Sequence, residues 1–180
     1  MNCFHSARFG ELRYADRDVI NLPDGLIGLP RLRRWILLEM ERPVPLKWLQ
    51  SLDDGNFGFP VAEPGFFASA YEVAPPPGVL ARLGCDSAEE LAVLIITTVH
   101  EGGSRLTGNL AAPLLIHLGT RLGAQVVIDD ERWSLRQEID YLKFGLAVQG
   151  ETAAEGTEES ATEPALVGAG PEKERQLAAL

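Results

Sequence analysis

Leu91-Ala-Val-Leu-Ile-Ile-Thr-Thr-Val99 decides the fold class. Val93, Ile95, Ile96 and the two Thr are stiff at χ1 and favour a pleated sheet over a helix, so the run predicts a buried strand. Gly102-Gly103 then makes a hairpin turn into a second strand over residues 104–110. Working outward, Leu114-Leu-Ile-His117 and Gln125-Val-Val-Ile128 read as two further strands, joined through the segment from Gly119 to Gly123. On the N-terminal side, Phe57, Phe59 and Val61 alternate with smaller residues, the period of a half-buried strand over residues 56–62. Asp53-Asp54-Gly55 is the turn before it and Pro64-Gly65 ends it. Trp35-Ile-Leu-Leu38 is a short apolar run, as a buried strand requires. Val19-Ile-Asn-Leu22 runs into a Pro23-Asp24-Gly25 turn. Pro75-Pro76-Pro77 is a rigid connector, residues 79–83 allow a turn or two of helix, and Ser87-x-x-Glu90 reads as a helix cap followed at once by strand residues. Short strands with Gly and Pro turns and little helix predict an all-β class, a small antiparallel β-barrel or sandwich-like domain.

The chain has 180 residues, 46% of them hydrophobic and 23% charged, which predicts one domain with a tail. The boundary falls near Gln149. Residues 1–148 carry the strand signals, ending in a helix expected over residues 138–148 with Ile139, Leu142 and Leu146 on one face. Residues 149–180 hold seven Glu, one Lys, one Arg and no aromatic side chain, so the segment is expected to be a disordered acidic tail. The net charge of the whole chain is −10. That charge repels a phosphate backbone, disfavours direct nucleic-acid binding, and suits a basic protein partner. The N-terminus has no basic start leading into an apolar stretch, and residues 91–99 fall short of a membrane span, so neither export by a signal peptide nor membrane insertion is expected.

Catalytic chemistry needs a constellation, and none assembles. Cys3 and Cys85 are too few for a disulfide framework or a four-ligand zinc site, and fit a reducing cytoplasm. His5, His100 and His117 share no ligand spacing, so neither a metal nor a cofactor is expected. No glycine loop cradles a phosphate. Asp53-Asp54 and Asp129-Asp130-Glu131 put carboxylates side by side, but in predicted turns, where Asp caps the backbone. Ser51 and Ser87 sit in no nucleophile elbow. Trp48, Phe57, Phe59, Phe66, Phe67 and Tyr71 are expected chiefly in the core, and Gln50 and Asn109, among apolar neighbours, are expected to tie down loop backbone.

Three segments occur in order: Leu22-Pro-Asp-Gly-Leu-Ile-Gly-Leu29, Leu49-Gln-Ser-Leu-Asp-Asp54 and Gly108-Asn-Leu-Ala-Ala-Pro-Leu-Leu-Ile116. With the Phe-rich strand from Phe57 to Pro64, Tyr71 and the Gly123-to-Val127 strand, the chain resembles the flagellar assembly factor FliW family over about residues 8–136. His117, Trp133 and Leu29-Pro30 depart from that family's usual Asn, Tyr and Phe-Glu. The resemblance implies a cytoplasmic, non-enzymatic, β-barrel-like protein that binds flagellin and, in its other state, binds and antagonises the translational repressor CsrA. A flagellin chaperone without a role in translation, and a small-ligand-binding barrel, are the alternatives. Leu49, Gln50, Asp53, Phe66, Tyr71 and Asn109 lie in or beside the matched motifs and expected loops, and are the candidate partner-binding residues.

Overall fold

In the computed structural model, residues 1–40, 46–100 and 105–138 are described. The chain runs β1 (Asn2–Ser6), β2 (Gly10–Tyr14), β3 (Ile20–Asn21), β4 (Arg34–Glu39), β5 (Lys47–Ser51), β6 (Gly58–Ala62), α1 (Val79–Leu83), β7 (Leu91–His100), β8 (Arg105–Gly108), β9 (Leu114–His117), β10 (Gly123–Gln125) and β11 (Gln137–Glu138). Three 3₁₀ turns, Asp16–Asp18, Pro64–Phe66 and Ala88–Glu90, punctuate it. The main sheet is antiparallel in the order β10-β9-β7-β6-β5-β4-β3. A parallel bridge between Asn21 and Leu122 joins β3 to the β10 end and closes that sheet into a barrel. Closure leaves fewer open strand edges.

Side-chain alternation fills the barrel. Trp35 and Leu37, Leu49, Phe59 and Val61, Leu94 and Ile96, and Leu114 and Ile116 point inward into one apolar cluster with Ile20 and Leu22. The opposite parity is also apolar, because three elements cover the outside. The β1–β2 hairpin packs on Ile36 and Leu38. The segment around Phe66 to Tyr71, with Trp133, packs on Ala62 and Ile95. Helix α1 puts Val79 and Leu83 against Leu115 and Ala124. Burial on both faces is why Trp35 to Leu38 reads as an unbroken apolar run rather than an alternating one.

Leu22-Pro-Asp-Gly-Leu-Ile-Gly-Leu29 forms the tight loop after β3. Gly25 has φ of 69° and its N–H donates to the Leu22 carbonyl at 2.8 Å. A Cβ there would overlap the Leu29 carbonyl and Pro30, so the position needs glycine on two counts. Gln125 clamps the loop from β10, accepting from the Ile27 N–H at 2.9 Å while its amide donates to the Ala112 carbonyl at 3.1 Å.

The mostly antiparallel all-β class, the helix at Val79–Leu83 and the strand of residues 91–99 agree with the sequence reading. Four details differ. Residues 47–51, where the sequence reading places no strand, form a central strand. The hairpin of residues 2–14 carries too little apolar pattern to be read. The strand expected at residues 125–128 lies at Gly123–Gln125; Val126 and Ile128 still donate to the Pro113 and Ala111 carbonyls, but Val127 is exposed beyond the ladder. Glu138, placed at the start of a helix, pairs with Thr107 as a strand residue. The rest of that helix, the Gly102-Gly103 turn and the tail of residues 149–180 lie outside the described residues.

Candidate functional site

The six candidate residues fall into two groups on different parts of the barrel. Leu49, Gln50 and Asp53 belong to β5 and the turn after it. Leu49 is fully buried inside the barrel. Gln50 points the other way and is also buried. Its Oε1 accepts from the Ser6 hydroxyl at 2.9 Å and from Trp48 Nε1 at 3.3 Å, and its Nε2 donates to the Phe57, Ser51 and Gly55 carbonyls at 2.9, 3.1 and 3.4 Å. The amide ties β1, β5 and the 51–57 loop together. The placement of Leu49 and Gln50 in or beside a loop is thereby corrected, since cross-strand pairing with Leu37 and Ile36 puts both in the sheet.

Asp53 sits at the mouth of the same turn. Its Oδ2 accepts from the Arg33 and Arg34 N–H groups at 2.6 and 2.8 Å, and its Oδ1 pairs with Arg34 Nε at 2.7 Å. Desolvation, the largest single influence, pushes this carboxyl upward. The hydrogen bonds from Arg34 and Arg33 and the Arg34 charge together outweigh it and hold the group below the usual carboxylate range. The carboxylate is an anchor for the start of β4.

Phe66, Tyr71 and Asn109 form the second group. Phe66 and Tyr71 are half-buried on one apolar cluster with Leu110. Tyr71 Oη donates to the Leu110 carbonyl at 2.7 Å, and its ring meets Trp133 at a centroid distance of 4.7 Å. Burial pushes the Tyr71 phenol up to about 12. Asn109, next along the chain from Leu110, accepts from the Ala112 N–H through Oδ1 at 3.0 Å, which shapes the turn into β9. These three residues share one edge of the molecule, where β7, β8 and the 63–71 segment meet. Trp133, one of the departures from the family pattern and not among the six candidates, belongs to this edge as well. Its Nε1 is buried with no hydrogen-bond partner among the described residues.

Ser51, Ser87, Asp54, Asp130 and His117 have structural partners. Ser51 Oγ accepts from the Asp53 and Asp54 N–H groups, and Ser87 Oγ accepts from the Glu89 N–H. Asp54 and Asp130 cap their own turns, and Arg132 beside Asp130 holds that carboxyl low. His117 Nδ1 lies 2.9 Å from Thr120 Oγ1 and its Nε2 3.5 Å from Glu90. Among the described residues no three His, Cys, Asp or Glu side chains converge as metal ligands would, and no helix is long and apolar enough to cross a membrane.

A family model described as "FliW protein" matches residues 3–139. The chain belongs to the FliW family. The flagellar assembly factor FliW of Clostridium beijerinckii is 29% identical over 136 residues, 76% of this chain and 96% of that relative. The FliW of Syntrophus aciditrophicus is 31% identical, covering 74% of this chain and 85% of its own length, and that of Leptospira interrogans 32%, covering 73% and 88%. A crystal structure of the flagellar assembly factor FliW superposes with a TM-score of 0.70 at 25% identity, over 76% of this chain and 96% of the other. The match spans between 85% and 96% of each of these proteins, and residues 149–180 lie beyond the matched segment.

Proposed function

We propose that this protein is a flagellar assembly factor that works by binding proteins in the cytoplasm rather than by catalysis. It binds flagellin, and when flagellin has been exported it binds and antagonises the translational repressor CsrA, so that flagellin synthesis follows the demand of assembly. The observation that carries the reading is membership of the FliW family over residues 3–139. The chain's net charge of −10 supports it, because an acidic protein meets a basic RNA-binding partner with complementary potential. The binding residues we propose are Phe66, Tyr71 and Asn109, with Asp53 at a second position. Leu49 and Gln50 are buried in β5, next along the chain to the turn that carries Asp53.

The small-ligand reading is disfavoured by the barrel interior, which Trp35, Leu37, Leu49, Val61, Leu114 and Ile116 fill. Calorimetric titration of the full chain with CsrA of the same organism, with and without flagellin, tests the function. Binding that flagellin abolishes is the expected result. Flagellin binding with no CsrA binding makes the protein a chaperone, and binding to neither partner ends the proposal.

A further inference from the structure

The seam that closes the barrel is unusually basic for so acidic a chain. Two adjoining clefts meet there at Asn21, whose N–H donates to the Arg121 carbonyl at 2.8 Å. Arg31, Arg33 and Arg34 line one cleft with Asp53. Arg17 and Arg121 line the other with Asp16 and Asp18. Each of these carboxylates is already engaged. Asp53 holds Arg34 and two backbone N–H groups. Asp16 accepts from the Asn2 amide, and Asp18 accepts from the Ala15 N–H. Among the described residues the guanidiniums of Arg31, Arg33 and Arg121 have no carboxylate partner; Arg33 Nε reaches only the Pro30 carbonyl, at 3.4 Å.

The backbone adds a second observation. Arg121 has φ of 58°, the one non-glycine residue with positive φ among the described residues. The left-handed region disfavours a side chain with a Cβ, and the neighbouring turn has glycines at 119 and 123 that show the chain tolerates glycine nearby. An arginine kept in this conformation lines the cleft that adjoins theirs at Asn21. Guanidinium forks match carboxylates in geometry and charge, so the ligand chemistry is an acidic peptide.

We infer that this seam binds an acidic peptide and that its occupant in the free protein is the acidic C-terminal segment of the same chain, residues 149–180. Charge and length both favour that occupant. Glu151, Glu155, Glu158, Glu159 and Glu163 fall in a stretch with no Lys or Arg. A segment of that length spans ~100 Å when extended, against a radius of gyration of ~14 Å for a domain of this size, so every part of the surface is within reach. Tethering raises the local concentration of the segment to about 1 mM, so contacts too weak to hold a free peptide suffice in cis. Docked there, the segment screens the arginines and competes with any other acidic chain for them. The inference does not rest on the identity of the assembly partners.

Cleavage of the full chain by a Glu-specific protease tests it, because a docked segment is protected. In the wild type, cuts within residues 149–163 are expected to be about threefold slower at ~20 mM salt than at ~500 mM, the protection of a segment docked about two-thirds of the time. In the Arg31→Gln/Arg33→Gln variant the low-salt rate should rise to the high-salt one. Arg121→Gly, which suits the local φ and keeps the turn, should do the same in part. Arg13→Gln, on the N-terminal hairpin, is the control and should leave protection intact. Equal rates in the wild type and the Arg31/Arg33 variant at both salt concentrations overturn the inference. Loss of protection in Arg13→Gln as large as in the seam variants also overturns it, since the effect is then one of general charge and not of this site.

Discussion

The Ser6 hydroxyl donates to Gln50 Oε1 at 2.9 Å, and both side chains are buried. This bond links the N-terminal hairpin to the middle of the barrel, and the Gln50 amide carries the contact on to the loop carbonyls of Gly55 and Phe57. Ala7 N–H donates to the Gly55 carbonyl beside it, at 3.0 Å.

Gln50→Leu keeps the volume and removes every hydrogen bond of the Gln50 amide. The Ser6 hydroxyl and Trp48 Nε1 lose their common acceptor, while the Gly55 and Phe57 carbonyls keep the Ala7 and Ser51 N–H donors, so the cost is about 2–3 kcal/mol. Urea unfolding of the variant should show that loss at unchanged m-value. A loss below about 0.5 kcal/mol would mean that water reaches the site and replaces the amide.

Asp53 makes stability depend on acid. Its folded-state carboxyl titrates below its unfolded value, so the native state binds the proton less tightly than the unfolded chain. The contribution is whole above the unfolded carboxylate value of about 3.9 and is lost as pH falls from there through the folded value. Asp53→Asn should therefore flatten the wild type's acid-side loss of stability in thermal melts between about pH 5 and pH 2, while costing about 1 kcal/mol at neutral pH.

Tyr71 works in the opposite direction. Burial raises its phenol to about 12, so the stability it contributes is intact below the unfolded value near 10 and is lost as pH climbs toward 12. Ultraviolet titration should show one phenol ionising late, and Tyr71→Phe should remove that late step. Loss of the bond to the Leu110 carbonyl costs about 1 kcal/mol in the same variant.

Two glycines of one motif should respond differently to alanine. Gly25 and Gly28 both have positive φ, but a Cβ at Gly28 meets nothing within 4 Å whereas at Gly25 it overlaps the Leu29 carbonyl. Gly28→Ala should cost about 1 kcal/mol, from backbone strain alone. Gly25→Ala should cost about twice that or more, because the loop must also move. Parallel melts of the two variants measure the difference.

The partner surface is tested at Phe66, a half-buried ring on the edge shared with Tyr71 and Leu110. Phe66→Ala should weaken binding to flagellin or CsrA by about tenfold or more, the effect of truncating an aromatic anchor at an interface. Far-UV circular dichroism should remain that of the wild type. Unchanged affinity for both partners would move the surface elsewhere.

Much of the barrel was legible because apolar runs and turn residues act locally. Residues 91–99 declare a strand by β-branching alone, and the loop after Asn21 declares itself by Pro23 and Gly25. The N-terminal hairpin did not, since Asn2, His5 and Ser6 become strand residues only by packing Phe4 and Leu12 on an outer face of β4 that the sequence cannot show. Nor did β5: Gln50 and Ser51 look like loop residues because polar side chains are seldom buried, and only the convergence of Ser6, Trp48 and Phe57 around the amide makes that burial tolerable. The candidate residues divided for the same reason. Tyr71 and Asn109 kept a place at the surface edge, whereas Leu49 turned inward through its pairing with Leu37.

By itself the sequence determined the all-β class, the family through motifs kept in order, and the acidic character of the chain, since each depends on composition or on spacing along one strand or turn. Tertiary structure alone decided which face of each strand is covered, which amide is a clamp, and that Arg31, Arg33 and Arg121 line two clefts adjoining at Asn21. Those outcomes depend on contacts between residues as far apart as Asn21 and Leu122, whose pairing is set by closure of the sheet and leaves no local periodicity to read.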